Sequence, residues 1–166
     1  RHIFLGRWMK HGVYPVKLLR LFRYGAARCE QRHMDEHMEL SRGRAVEFEH
    51  DFVDENLNGL GWWAHKHVDY SARELADLED ILSSAAADSG INGQAERKRA
   101  MKERYARQPL FWRSFAYFCY RYFLKLGFLD GREGFLWHFM QGWWYRTLVD
   151  ARQFEKQKKG SGKTAR

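Results

Sequence analysis

The 166 residues carry 29 Lys and Arg against 21 Asp and Glu, for a formal charge of +8, and 16% of them are aromatic. That length suits one domain with a real core, or part of a larger one, and excludes two full domains. No secretory signal is visible and no uncharged apolar run reaches the about 20 residues of a spanning helix. Cys29 and Cys119 form no CxxC pair, so neither a disulfide framework nor a cysteine metal site is indicated, and a reducing cytosolic setting is expected.

The chain starts at Arg1 without a methionine and enters the apolar stretch His2 to Trp8 at once, which reads as the C-terminal piece of a longer protein. From His2 to about Leu40, β-favouring residues alternate with breaks at Gly12, Pro15 and Tyr24-Gly25, predicting one or two strands, the clearest over Val16 to Arg23. "SRGR" (Ser41 to Arg44) is a turn, and "AVEFEHDF" (Ala45 to Phe52) alternates like a half-buried strand.

After Asn58-Gly59 the pattern turns helical, with Trp63, His67, Tyr70 and Glu74 at spacings of three and four, which gives a helical segment over 59–82. Small residues then make 83–94 a linker. A very basic helical stretch follows, ended before Pro109. Two aromatic segments, "LFWRSFAYFCYRYFLKL" and "GFLWHFMQGWWYRTLVDARQF", are joined by "GFLDGREG" with its Asp130-Gly131 turn signal.

In the first aromatic segment Arg113, Arg121 and Lys125 fall in one arc. With Trp143 and Trp144 in the second, they predict an interfacial hairpin over 95–155 that lies at headgroup height on an anionic membrane, although a buried helical pair would show similar stripes. Basic residues from Arg97 to Arg107 would each add about 1 kcal/mol near such a surface. Nucleic acid is not the expected partner, because the aromatics crowd apolar faces instead of interleaving with exposed cations. The tail 156–166 has the composition of a disordered segment.

"CEQRHMDEHMEL" (Cys29 to Leu40) contains H-x-x-E-H. On a helix over Ala26 to Leu40, His33 and His37 would share one face with Glu36 beside them, the logic of a zinc hydrolase. Nothing singles out a third ligand, and the same run could be a solvated charged helix or turn. His65 and His67 form an HxH pair with no evident third ligand.

Taken together, "YPVKLLRLFR", "MDEH", "NLNGL", "KHVDYSARE" and "LGFLDGREG", in that order, resemble the C-terminal half of bacterial membrane-associated family 2 glycosyltransferases of polysaccharide and lipopolysaccharide biosynthesis. The likeness covers nearly the whole chain apart from the 83–94 linker and the tail. It implies an α+β fold: residues 1–58 as the terminal strands of a GT-A-like α/β domain, followed by amphipathic, aromatic-rich helices peripheral to the cytoplasmic face of the inner membrane.

The resemblance also implies a nucleotide-sugar donor, a lipid-linked or polysaccharide acceptor, and a divalent cation (Mg or Mn) held by a D-x-D motif. This chain contains no D-x-D, so donor and cation binding would lie mostly in a preceding half, and the chain alone would be inactive. The acceptor-side base maps onto "MDEH", as Glu36 or Asp35. His37 would orient the base or approach the cation, or make a plain structural hydrogen bond. Arg20 and Arg23 would contact donor phosphates through arginine's bidentate fork, or simply face water. The alternative is a non-catalytic membrane-surface interaction module.

Overall fold

The computed structural model describes residues 1–30, 33–34, 38–84 and 94–161. Leu5 and Gly6, both at positive φ (50° and 75°), make the tight turn between β1 (His2–Phe4) and β2 (Arg7–Trp8). The antiparallel register is Ile3 opposite Trp8 and Phe4 opposite Arg7, and β5 (Asp54–Glu55) joins the other edge of β1 in parallel. A separate antiparallel pair, β3 (Ala27–Cys29) with β4 (Met38–Leu40), sets Cys29 opposite Met38.

These strands differ from those expected. Val16 to Arg23 and Ala45 to Phe52 form no strand, and all of Ala45 to Phe52 is exposed. Alternation is a strand signal only where one face has something to pack on. Val46 and Phe48, at 69% and 73% exposure, have nothing.

The helices follow the sequence more closely. α1 (Leu60–Ser84) starts after an Asx turn in which Asn58 N–H donates to Asn56 Oδ1 at 3.2 Å. Its inward stripe is Trp63, His67, Ser71, Glu74, Asp77, Leu78 and Ile81, all buried, each three or four residues from another member of the stripe. α2 (Gln94–Ala106) stops ahead of Pro109. α3 (Trp112–Cys119) runs on as a π-helical stretch, Tyr120–Leu124.

Leu126, in the left-handed region at φ 59°, reverses the chain into a short 3-10 turn, Gly127–Asp130. From Gly131 the backbone stays helical to Ser161, as α4 (Gly131–Trp137), a second π stretch (His138–Trp144) and α5 (Tyr145–Ser161). Residues 156–161, disordered by composition, continue α5. There Lys156 reaches back to Glu79 on α1 at 2.7 Å.

The result is a mixed α+β chain, about 56% helical, whose sheets have two and three short strands. Its core has two parts. Phe4, Met9, Trp63 and Trp137 join the small sheet to α1 and α4, and Leu78, Ala106, Tyr145 and Val149 join α1, α2 and α5. Trp144 packs against both.

Candidate functional site: an inverted aromatic hairpin and its polar interior

The two aromatic segments pair as predicted, but their polarity is the reverse of a helix with arginines facing out. Arg113 is 2% exposed and Arg121 5% exposed. Both side chains turn into the hairpin, which departs from the expectation that these two cations face outward to a membrane; Lys125 is exposed. Trp144 seals the seam between the core halves, and Trp143 is half-buried against Phe115, Phe118 and Phe139, with ring centroids 5.0, 5.5 and 5.9 Å away. Helical spacing put these side chains on arcs correctly; for Arg113, the ion pair with Asp150 holds its arc inward.

Arg113 is fully satisfied. Its Nε donates to Asp150 Oδ1 at 2.7 Å, Nη1 to the Ala106 carbonyl at 2.6 Å and Nη2 to Gln153 Oε1 at 2.7 Å. Tyr105 and Tyr117 interleave with three guanidinium groups: Arg113 and Arg146 stand 5.1 and 5.2 Å from the Tyr105 centroid, and Arg146 and Arg121 stand 4.2 and 5.5 Å from that of Tyr117. Burial pushes the Tyr117 hydroxyl pKa up, but the charges of Arg146 and Arg121 prevail and hold it below the usual tyrosine value.

What faces outward is apolar. Trp112, Phe123, Leu124, Leu126, Phe128, Leu129 and Phe135 are each between 44% and 76% exposed. Ring contacts run without a gap from Trp112 through Phe115, Trp143, Phe139, Phe135 and Tyr122 to Phe123 and Phe128. Lys125 and Arg132 are exposed among these residues. No helix among the described residues is long and apolar enough to cross a membrane.

At the closed end of the hairpin, residues far apart in sequence meet. His11 donates its backbone N–H to Asp130 Oδ2 at 2.8 Å, and its ring Nδ1 lies 2.7 Å from Asp130 Oδ1. With Nδ1 carrying the proton toward the carboxylate, Nε2 of the half-exposed ring keeps its lone pair for an outside partner. Asp130 thus grips His11 instead of capping α4 with its side chain. Arg7 reaches Glu133 at 3.5 Å. Sequence reasoning took "LDG" as a turn and did not connect it to "KHG", because a contact over 119 residues leaves no periodic signal.

His138 sits behind this pair, fully buried. Its ring fills the gap between Gly12 and Gly127, where an added Cβ would come within 2.4 and 2.3 Å of it. Burial first, then the Arg121 charge, push its pKa down to about 4, only partly offset by the His11 backbone and Asp130. His67, which the sequence read as half of an HxH pair, is a core residue: Nδ1 lies 2.8 Å from the Trp63 carbonyl and the ring stacks on Trp63 at 3.5 Å.

Asp35, Glu36 and His37 lie outside the described residues. The helix proposed for Ala26 to Leu40 does not form, since 27–29 and 38–40 are paired strands, so the one-face argument for His33 and His37 is lost. His33 pairs with Asp80 at 3.2 Å, both largely exposed. Arg20 and Arg23 are exposed on irregular backbone, not on a strand. Among the described residues no group of three His, Cys, Asp or Glu side chains could hold a metal ion. The basic residues of α2 are partly committed inward: Lys102 bridges Glu74 at 3.1 Å and Asp77 at 2.7 Å on α1.

No protein family, curated protein or solved structure matches this chain.

Proposed function

We propose that this chain is the acceptor-side, membrane-seated part of a GT-A-type family 2 glycosyltransferase, which moves a sugar from a nucleotide-sugar donor to a lipid-linked or polysaccharide acceptor at the cytoplasmic face of the bacterial inner membrane. One carboxylate of "MDEH", Glu36 or Asp35, accepts the proton of the acceptor hydroxyl as its oxygen attacks the anomeric carbon in line, and the nucleoside diphosphate leaves. Donor and divalent cation belong, on this reading, to a preceding domain that carries the D-x-D this sequence lacks.

The observation that carries the proposal is the contact, by His11 and Asp130 at 2.7 and 2.8 Å, that ties the segment just ahead of the family-like "YPVKLLRLFR" to the family-like "LGFLDGREG". The outward aromatic belt agrees with it, because a ring-rich face with cations among it settles at headgroup depth, where a lipid-linked acceptor presents its sugar. In the longer enzyme, Glu36→Gln is expected to abolish transfer while nucleotide-sugar binding persists. Full activity in both Glu36→Gln and Asp35→Asn would remove the assignment.

The aromatic belt also supports a second reading, a membrane-surface module without catalysis. The two separate on the coding sequence upstream: a D-x-D-bearing α/β domain supports the transferase, and its absence supports the module.

A further inference from the structure

We propose that Arg121 is the anchor of an oxyanion site that takes a phosphate group. Arg113 and Arg121 stand two turns apart on one helical hairpin arm and are almost equally buried, yet they are treated differently. Every nitrogen of Arg113 has a partner. Arg121 Nε and Nη2 have none among the described residues. Those two atoms form the side-on fork whose parallel N–H bonds match two oxygens of one phosphate.

Among the described residues no carboxylate pairs with this guanidinium, whose side-chain partner is the Tyr117 hydroxyl. Both oxygens of Asp130 are engaged by His11. His138 is held neutral at ordinary pH by its low pKa of about 4 and brings no negative charge to the guanidinium. A second cation, Arg146, lies 4.2 Å from the Tyr117 ring centroid; its Nε has no partner among the described residues, while Tyr117, Tyr105 and Glu74 favour its charge. The surrounding elements add Trp137 Nε1, buried and without a partner among the described residues, and the His2 ring lies tilted against Trp137 with centroids 4.1 Å apart. Indole and guanidinium nitrogens only donate. A buried surplus of donors and positive charge is stable only with an acceptor-rich anion among them.

A phosphate fits that demand better than a carboxylate, because its additional oxygens can meet donors beyond the fork and its charge can answer two guanidinium groups. The phosphate could come from solution or from a lipid headgroup, since the exposed residues Phe123, Leu124 and Leu126 follow Arg121 within five positions. The site stands independently of sugar transfer, so its test does not depend on that activity.

Solution and vesicle measurements decide. The Arg121 Nε–H resonance of the 15N-arginine-labelled chain is followed during titration with inorganic phosphate and pyrophosphate against sodium chloride at matched ionic strength. Co-sedimentation compares phosphatidylcholine vesicles containing phosphatidic acid with vesicles containing phosphatidylglycerol at equal surface charge. A saturable Nε–H shift with the soluble anions in the wild type, together with a pyrophosphate affinity by calorimetry at least about tenfold weaker in Arg121→Lys, assigns a free phosphate. A preference for phosphatidic acid that falls to the phosphatidylglycerol level in Arg121→Lys assigns a lipid phosphate. An Nε–H resonance indifferent to both anions, together with no phosphatidic acid preference, overturns the site. So does equal binding by folded Arg121→Lys. If Arg121→Lys does not fold, the wild-type titration and vesicle preference decide alone.

Discussion

Asp150 holds two partners at once: Oδ1 accepts Nε–H of Arg113 at 2.7 Å, and Oδ2 accepts the backbone N–H of Phe111 at 2.8 Å. Phe111 precedes α3 in the left-handed region at φ 66°, a costly conformation for a non-glycine residue. The carboxylate therefore fixes both the start of α3 and the rotation that turns Arg113 inward and leaves Trp112 facing out.

Removing one member of this pair leaves the other buried and charged. Asp150→Ala is expected to destabilise the fold by about 3–5 kcal/mol, whereas Arg113→Met with Asp150→Leu leaves no unpaired charge and should lose less, about 1–3 kcal/mol, chiefly for the Phe111 N–H that loses its acceptor. Urea denaturation of the three proteins measures both, and equal losses in the single and double variants would show that the ion pair is not the source.

The low pKa of His138 makes stability depend on pH in a definite direction. The folded ring refuses a proton until about pH 4, while the unfolded ring takes one near 6.5. As pH falls from 6.5 to 4 the unfolded state gains protons that the folded state does not, so stability is lost across that window, on the order of 3 kcal/mol in total from this residue. His138→Asn should reduce the pH slope of the unfolding free energy by up to one proton in that interval. His2 and His67, both lowered by burial, act in the same direction and keep part of the slope in the variant.

The Gly127 position tests the packing around the same ring. Gly127→Ala sets a methyl 2.3 Å from His138 Nε2 and should cost about 1–3 kcal/mol. In a His138→Ala background the same change should cost much less. A coupling energy near zero in that cycle would show that the glycine is there for another reason.

Membrane attachment, on the reading proposed, rests on the outward side chains and not on the tryptophans at the seam. Phe123→Ser, Leu124→Ser and Phe128→Ser together should weaken binding to anionic liposomes by at least about a hundredfold, at roughly 1.5–3 kcal/mol for each fully inserted side chain. The melting temperature should barely change. Trp144→Ala should instead lower stability by about 3–5 kcal/mol. Flotation and thermal unfolding of both variants separate the two roles, and undiminished flotation of the triple variant would exclude this face.

Much of the helical half was legible. The 59–82 segment, the stop before Pro109 and the two aromatic arms all follow from 3.6-residue spacing and a proline, signals that are local in the chain. The strands were not. β1 and β5 pair His2 with Asp54 and Ile3 with Glu55, across half a hundred residues, while the better strand patterns at Val16 to Arg23 and Ala45 to Phe52 found no sheet to join. The carboxylates of "MDEH" fall between β3 and β4 in sequence, outside the described residues.

By itself, the sequence determined that helices carry the rings and the arginines, because side-chain spacing along a helix is covalent geometry. It also determined the large aromatic content that any fold of this chain has to place. Only the tertiary structure decided the direction in which each face points. That choice depends on whether a buried guanidinium finds acceptors, and Asp150, Gln153 and the Ala106 carbonyl converge on Arg113 only once the chain has folded. The same long-range assembly brought His11 to Asp130 and pressed His138 between Gly12 and Gly127. Such contacts follow from packing and charge neutralisation between distant segments, which no local pattern encodes.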